Sequence, residues 1–178
     1  MTVSGKPDAT IRPLTPADAF AFRHLRLTAL SDSPQSFSAS AVEETALSDD
    51  EMAARAAPAA PSVIFGAFDG ASLVGMAGFV ANHRQKTRHK GVMVGVYVTP
   101  EWRAAGIGRR LVETVKAHAA SLGVILQCTV TSANEPARRL YLALGFLPYG
   151  LERDALFVDG DYIDEELLAI DLRKIAAQ

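Results

Sequence analysis

Two glycines and two arginines stand close together at the point where a strand pattern gives way to a helix pattern. Gly106 and Gly108 open an amphipathic stretch, and Arg103 and Arg109 lie beside them. The first turn of a helix has unpaired N–H groups and the positive end of the helix dipole, so it favours a phosphate. Glycines let the backbone approach that anion, and arginines can pair with its oxygens. The spacing therefore predicts a site for a pyrophosphate-bearing cofactor.

The two common nucleotide-binding loops do not fit this stretch. The dinucleotide-binding pattern needs a third glycine where Leu111 stands, and an acidic residue at the end of the next strand, where 127–130 has none. The P-loop needs a Gly-Lys-Ser/Thr sequence, which the chain lacks. For the glycines alone a second interpretation stays open, in which they only permit tight packing of the helix on the strand.

Hydrophobic periodicity and turn residues place these residues in a single domain over residues 1–178. The expected elements, in chain order, are a strand over 10–14, a helix from 16 to 30, a helix over 41–57, strands over 62–68, 72–81 and 91–98, a helix over 106–122, a strand over 124–131, a helix over 134–144, and a closing hairpin of strands 151–158 and 162–172. This β-α-α-β-β-β-α-β-α-β-β order predicts an α/β fold with a mixed sheet. Residues 1–9 are expected to form a loose leader.

The composition excludes several classes of protein. The chain has 178 residues, is 49% hydrophobic and has a formal net charge of −2, which argues against a disordered chain and against a protein that coats nucleic acid. Its single cysteine, Cys128, rules out an internal disulfide and a multi-cysteine zinc site, and we expect a buried bystander. Because no apolar run is long enough to cross a bilayer and the N-terminus lacks a signal-peptide core, we expect a cytoplasmic protein without a membrane partner.

Two motifs together resemble those of the GCN5-related N-acetyltransferase (GNAT) superfamily. The stretch Arg103-Ala-Ala-Gly-Ile-Gly108 is similar to the family signature Gln/Arg-x-x-Gly-x-Gly/Ala. The stretch from Asn134 to Phe146, with its Ala-Arg-x-Leu-Tyr and Gly-Phe, is similar to the second family motif. The resemblance covers residues 10–172, most firmly 91–147. It implies the GNAT fold, a mostly antiparallel twisted sheet flanked by helices.

The resemblance also implies the reaction and its residues. An amine would attack acetyl-CoA directly, with no covalent acetyl-enzyme and no metal. The strand 91–98 would bind the pantetheine arm through its backbone, the turn 104–109 would hold the pyrophosphate, and Asn134 would bind the pantetheine region. Tyr141 would act as a general acid on the thiolate. The implied cofactor-binding residues are Val96, Tyr97, Val98, Arg103, Ala104, Ala105, Gly106, Ile107, Gly108, Arg109 and Asn134.

The residues leave other questions open. The general base is not identified, and Glu43, Glu44 and His89 are candidates. The acceptor is a small-molecule or peptide amine, and the use of acyl groups other than acetyl is undecided.

The resemblance is also compatible with a homodimer paired through the C-terminal strands. One alternative is a non-catalytic acyl-CoA-binding regulatory module. A nucleic-acid partner for the basic loop 82–90 is disfavoured, because the loop lacks interleaved aromatic residues.

Overall fold

A computed structural model describes residues 8–173, which form one seven-stranded sheet with helices on both faces. The strands are β1 (Thr10–Pro13), β2 (Val63–Asp69), β3 (Ser72–Ala81), β4 (Lys90–Val98), β5 (Ile125–Thr131), β6 (Leu147–Val158) and β7 (Asp161–Asp171). The helices are α1 (Ala19–Asp32), α2 (Ala41–Thr45), α3 (Asp49–Ala56), α4 (Ile107–Ser121) and α5 (Glu135–Ala143). The strand order is β1-β2-β3-β4-β5-β7-β6. In the sheet, β7 therefore lies between β5 and β6, although it follows β6 in the chain.

Two apolar clusters hold the helices against the sheet. On one face, the stripe of α4 that includes Leu111, Val112 and Val115 is fully buried with residues of β2 to β5. On the other face, Phe22 and Leu25 of α1 pack with residues of α3, β3 and β4. Burying a side chain of this size contributes roughly 1.5–3 kcal/mol, so each cluster fixes its helices firmly on the sheet.

The sheet opens in its middle, between β4 and β5. These two strands are parallel, and their pairing ends at Val92 and Gln127. The other strand pairs are antiparallel, and β4 stays paired with β3 as far as Val98. From Met93 onward, the edge of β4 that faces β5 therefore has no strand partner. Backbone N–H and C=O groups on such an edge can pair with an extended ligand.

Gly95 lies within this unpaired part of β4 and has a left-handed backbone conformation, with φ of 62°. The β3–β4 register shifts between Met76 and Gly78, so two residues of β4 oppose one residue of β3. A β-bulge of this kind bends its strand and increases its twist. The bulge therefore lies in the part of β4 that follows the end of its pairing with β5 at Val92.

The structure confirms the α/β class and the mixed, mostly antiparallel sheet, and it corrects two element boundaries. The single helix expected over 41–57 is wrong: α2 and α3 are separate, because Ser48 forms a capping box with Glu51 and starts a new helix. Three helices, rather than two, therefore separate β1 from β2. Strand β6 begins at Leu147 rather than at 151, since an edge strand with a shifted register tolerates Pro148.

The expected leader over residues 1–9 falls largely outside the described residues. Within them, Ala9 is buried, and its carbonyl oxygen accepts a hydrogen bond from Arg110 Nη2 at 2.9 Å. The Arg110 guanidinium also pairs with Asp8. Arg110 thus holds the start of β1 against α4. Within residues 8–173, no helix has the length and apolar character to span a membrane.

Candidate active site

A cleft of about 550 Å³ lies over the unpaired end of β4, the turn that precedes α4 and the start of α5, and we call it the turn cleft. Of the cofactor-binding residues implied by the sequence, it brings together Val96, Tyr97, Val98, Arg103, Ala104, Gly106, Gly108, Arg109 and Asn134. Ala105 and Ile107 do not line it. The Ile107 side chain is 2% exposed and belongs to the core beneath α4. Any contact of Ile107 with a ligand must therefore be made by its backbone N–H group.

The turn before α4 has the backbone geometry of an anion cradle. Ala104 and Gly106 both have left-handed conformations, with φ of 62° and 77°. A Cβ added at Gly106 would meet no atom within 4 Å, and one at Gly108 would have its nearest neighbours at 3.8 and 3.9 Å. The backbone is thus open on the side of the cleft. The first N–H groups of α4 have no partner within the helix, so this turn fits a phosphate group.

Arg103 and Arg109 differ in how closely their charge is paired with an acidic residue of the protein. The Arg103 guanidinium pairs with Asp32, and Arg103 Nε donates to the carbonyl oxygen of Val98 at 3.1 Å. Its guanidinium carbon also lies 5.6 Å from the centre of the Tyr97 ring. Arg103 therefore ties the turn to β4 and α1. Arg109, in contrast, makes a long contact of 3.4 Å with Glu113, so its charge is more available to an anion in the cleft.

Tyr97 contributes its backbone rather than its side chain to this cleft. The ring is buried in the cluster beneath α1, and its hydroxyl group donates to Asp32 Oδ2 at 3.2 Å. Burial and the charge of Asp32 raise the pKa of this phenol. Val96 and Val98 alternate with Tyr97 along the strand, so their side chains lie on the opposite face.

Asn134 lies at the start of α5 and touches two parts of the site. Its Oδ1 accepts from the Ala137 N–H at 3.2 Å, which makes it the N-cap of the helix. Its Nδ2 donates to Ser36 Oγ at 3.3 Å. Asn134 is therefore both the cap of α5 and a residue of the turn cleft.

A second cavity, of about 470 Å³, continues from the turn cleft into the opening between β4 and β5, and we call it the inner cavity. Tyr141 and Cys128 line it. Tyr141 is 6% exposed, and burial raises the pKa of its phenol, so the hydroxyl group remains a hydrogen-bond donor. Burial also raises the pKa of the Cys128 thiol to about 12, as expected for a bystander that stays protonated.

None of the three residues suggested as general base lies in either cavity. Glu43 accepts from the N–H and hydroxyl groups of Ser40, which lowers its pKa and gives it a capping role. Glu44 is fully buried, pairs with Arg26 and lies 3.0 Å from Arg55 Nη1. His89 is exposed at the other end of β4, where its carbonyl oxygen binds the Ile125 N–H. These contacts give Glu43 and Glu44 structural functions.

The inner cavity contains polar groups that the sequence analysis did not single out. Thr131 and Glu165 are directly opposite each other on β5 and β7, and both line the cavity. Arg26 and Arg55 line it from α1 and α3. No local motif marks these residues, since they meet only when β7 pairs with β5. Within residues 8–173, no cluster of three or more His, Cys, Asp and Glu side chains could hold a metal ion.

Comparisons with known proteins agree with this geometry. A sequence profile of the acetyltransferase (GNAT) family matches residues 26–146. None of the curated proteins compared with the chain matches it in sequence. Among solved structures, a GNAT-family acetyltransferase from Streptococcus pneumoniae has a TM-score of 0.82 and 24% identity, covering 92% of this chain and 99% of its own.

Two further structures show the same fold at lower identity. The first is yncA, a proposed acetyltransferase from Salmonella typhimurium in complex with its cofactor acetyl-CoA, with a TM-score of 0.81, 19% identity and coverage of 93% and 95%. The second is a ribosomal-protein-alanine N-acetyltransferase from Brucella melitensis, with a TM-score of 0.78, 20% identity and coverage of 91% and 99%. The family profile spans more than half of the chain, and the turn cleft fits a pyrophosphate-bearing ligand. The chain therefore belongs to the GNAT family of acetyltransferases, which use acetyl-CoA as the acetyl donor.

Proposed function

We propose that this protein is an N-acetyltransferase that moves an acetyl group from acetyl-CoA to a primary amine by direct attack on the thioester. The observation that carries the proposal is the continuity of the two cavities through the opening between β4 and β5. Both the turn cleft and the inner cavity are lined by Val96, Asn134 and Leu140. A donor in the first and an acceptor in the second would therefore meet in this opening.

Each part of the chain would hold a different part of acetyl-CoA. The first N–H groups of α4 and the Arg109 guanidinium would bind the pyrophosphate. The free backbone edge of β4 at Val96 and Val98 would pair with the pantetheine arm, as an added strand would. When bound, acetyl-CoA supplies an activated acyl carbon and a thiolate leaving group.

Tyr141 would serve as the proton donor to the thiolate. A buried phenol with a raised pKa is a weak acid in isolation. The same low-dielectric surroundings make the departing thiolate more basic, because desolvation disfavours both anions. A proton can therefore pass from oxygen to sulfur while the C–S bond breaks. A backbone N–H at the end of β4 would stabilise the negative charge that develops on the carbonyl oxygen.

The acceptor amine would enter the inner cavity. The name of the Brucella melitensis neighbour, a ribosomal-protein-alanine N-acetyltransferase, supports nitrogen as the acceptor atom. At an identity of 20%, it does not select between a peptide and a small molecule.

We also propose that the reaction takes place in the cytoplasm.

The proposal includes a homodimer formed through the C-terminal strands. On β6 and β7, several large apolar side chains are more than half exposed, namely Leu147, Tyr149, Phe157 and Tyr162. An exposed apolar patch on an edge strand favours association. Sedimentation at micromolar concentration tests this, with a dimer expected for the wild type and a monomer for Phe157→Asp.

The test of the proposed function is an amine panel incubated with acetyl-CoA, reading free thiol and the mass of the acylated product. The expected result is equimolar thiol and N-acetylated amine with at least one class of amine. The competing function is a non-catalytic acyl-CoA-binding module, which would bind acetyl-CoA in calorimetry and release no thiol above the rate without amine. That outcome would replace the proposed activity.

A further inference from the structure

Glu165 is an acidic residue in the inner cavity whose charge is not neutralised by an ion pair. Its neighbours on β7 are neutralised, since Asp164 pairs with Arg153 and Glu166 pairs with Arg138, each at 2.7 Å. Across the described part of the chain, no basic side chain forms an ion pair with Glu165. One of its oxygens, Oε1, accepts from Thr129 Oγ1 at 3.1 Å. A half-buried carboxylate with one free oxygen in a ligand-sized cavity is suited to bind a cation.

The direction of the Glu165 side chain follows from strand alternation. Glu166 points to the face of the sheet that carries α5, because it binds Arg138 of that helix. Glu165 therefore points to the opposite face, which carries α1. Arg26 of α1 lines the inner cavity together with Glu165. Glu165 thus lies on the side from which an acceptor would approach the opening between β4 and β5.

A second polar group at the same place has no partner. The Thr131 side chain is 3% exposed, and its hydroxyl group makes no hydrogen bond although it lines the inner cavity. A buried hydroxyl without a partner costs roughly 1–3 kcal/mol, so it indicates a group that is satisfied when a ligand binds. Thr131 and Glu165 face each other across β5 and β7. The two residues therefore bring a carboxylate and a hydroxyl group to the same cavity, and an ammonium group can donate to both.

We propose that Glu165 binds the ammonium group of the acceptor and takes its first proton, with the Thr131 hydroxyl group holding the nitrogen. This inference rests on the proposed function and adds the missing proton acceptor. One N–H bond of the ammonium breaks, and its proton moves to the Glu165 carboxylate while the electron pair stays on nitrogen. The nitrogen then forms the C–N bond as the C–S bond breaks. Nitrogen loses a second proton when the amide forms, and the thiolate takes up one proton, so these two changes cancel. Glu165 then releases to solvent the proton that it took from the ammonium group.

The surroundings of Glu165 raise its pKa above the ordinary value of a glutamate, which makes it a stronger proton acceptor. Burial raises the pKa of Glu165, the Thr129 hydrogen bond lowers it, and the charge of Glu152, directly opposite on β6, raises it again. The other titratable groups that face the inner cavity are Cys128, Tyr141, Arg26 and Arg55. The pKa values of Cys128 and Tyr141 are raised. We therefore expect the rate to fall on the acidic side of its pH profile as Glu165 becomes protonated, and we call this fall the acidic limb.

The test compares three glutamate-to-glutamine variants in the full chain, using an amine that the wild type acetylates. Glu165→Gln keeps the acceptor oxygen for Thr129 and removes the charge. We expect kcat to fall by about 10²-fold or more, with loss of the acidic limb in kcat/KM. Glu152→Gln removes the facing charge, so the acidic limb should move to lower pH. Glu166→Gln is the matched control on the opposite face and should leave the limb where it is.

Three results would overturn the assignment. Wild-type kcat and an unchanged acidic limb in Glu165→Gln would remove Glu165 from the reaction. A raised KM with the limb retained would leave it a binding residue and refute the proton transfer. Failure of the wild type to acetylate any amine would instead refute the proposed function, and this inference with it. Circular dichroism of each variant separates these results from loss of folding.

Discussion

The turn cleft and the inner cavity meet at one opening in the sheet, yet they are built in different ways. The turn cleft combines the free backbone edge of β4 and the left-handed turn at Ala104 and Gly106 with residues such as Arg109 and Asn134. The inner cavity is lined by residues from α1, α3, β3, β4, β5, α5 and β7 and from the segment 36–39, and it holds the polar residues Thr131, Tyr141 and Glu165. Backbone geometry suits a ligand that never changes, whereas side chains can vary with the acceptor. We propose that this difference separates the groups that bind the donor from the groups that select and activate the acceptor.

The largest expected effect comes from Tyr141→Phe, which removes one hydroxyl group at the inner cavity. We expect kcat to fall by about 10²-fold, because the thiolate loses its proton donor. The Kd of acetyl-CoA should stay at the wild-type value, since the turn cleft does not include Tyr141. Steady-state kinetics measures the change in kcat, and calorimetry measures the Kd of acetyl-CoA. Unchanged turnover would remove Tyr141 from the mechanism.

A substitution at the glycine turn should weaken acetyl-CoA binding, which Tyr141→Phe leaves unchanged. In Gly106→Val, a β-branched residue must adopt a φ of 77°, and left-handed conformations cost roughly 1–2 kcal/mol even for unbranched residues. We expect acetyl-CoA affinity to fall by about tenfold or more, because the N–H groups no longer converge on the phosphates.

The matched control for the glycine turn is Gly70→Val, in the hairpin between β2 and β3. Gly70 has a φ of 56° and, like Gly106, no atom within 4 Å of an added Cβ. The two variants should lose comparable stability, whereas Gly70→Val should keep the wild-type affinity measured by calorimetry. Equal affinities in both variants would contradict a pyrophosphate site at this turn.

The two arginines of the turn sharpen the comparison further. Arg109→Ala should weaken acetyl-CoA binding by about fivefold, and more at low salt, because it removes an exposed charge from the phosphates. Arg103→Ala should lower the melting temperature more than the affinity, since Arg103 is already bound to Asp32 and to Val98. Titrations at two salt concentrations and thermal unfolding of both variants check this. The opposite pattern would show that Arg103 is the phosphate ligand.

The smallest expected effect is at Ser48, which starts α3 beside the inner cavity. Ser48→Ala removes the N-cap of a helix whose Arg55 lines that cavity, and should cost about 1 kcal/mol of unfolding free energy. Acetyl-CoA affinity should not change. Ser121→Ala, in the last turn of α4, is the control and should leave stability nearly unchanged. Denaturant unfolding measures both, and equal stabilities would argue against a capping role for Ser48.

The difference between the two cavities also explains which features could be predicted from the sequence and which could not. The turn 103–109 is a local feature, so its spacing alone predicted a glycine-rich turn before a helix. The closing hairpin was predicted for the same reason, and Gly160 in its turn has a positive φ, as does Gly70 between the expected strands 62–68 and 72–81. Glu165 could not be found in this way, because it meets Thr131 only through pairing between strands that are distant in the chain.

The misplaced helix boundary has a physical cause that the sequence did contain. The stretch 41–57 is rich in alanine and acidic residues, which favours one continuous helix. Ser40-x-x-Glu43 and Ser48-x-x-Glu51 are both capping boxes, and each starts its own helix. Recognising the second box would have corrected the prediction. Recognising the first box would have shown Glu43 as a capping residue rather than a base.

The most direct test of the central claim is hydrogen exchange of the full chain with and without saturating acetyl-CoA. We predict slower exchange over 93–98, where the free edge of β4 would pair with the pantetheine arm, and over 104–109 at the phosphates. Exchange in the loop 82–90, at the far end of β4, should not change. Unchanged exchange over 93–98 with acetyl-CoA bound would contradict binding in the opening between β4 and β5.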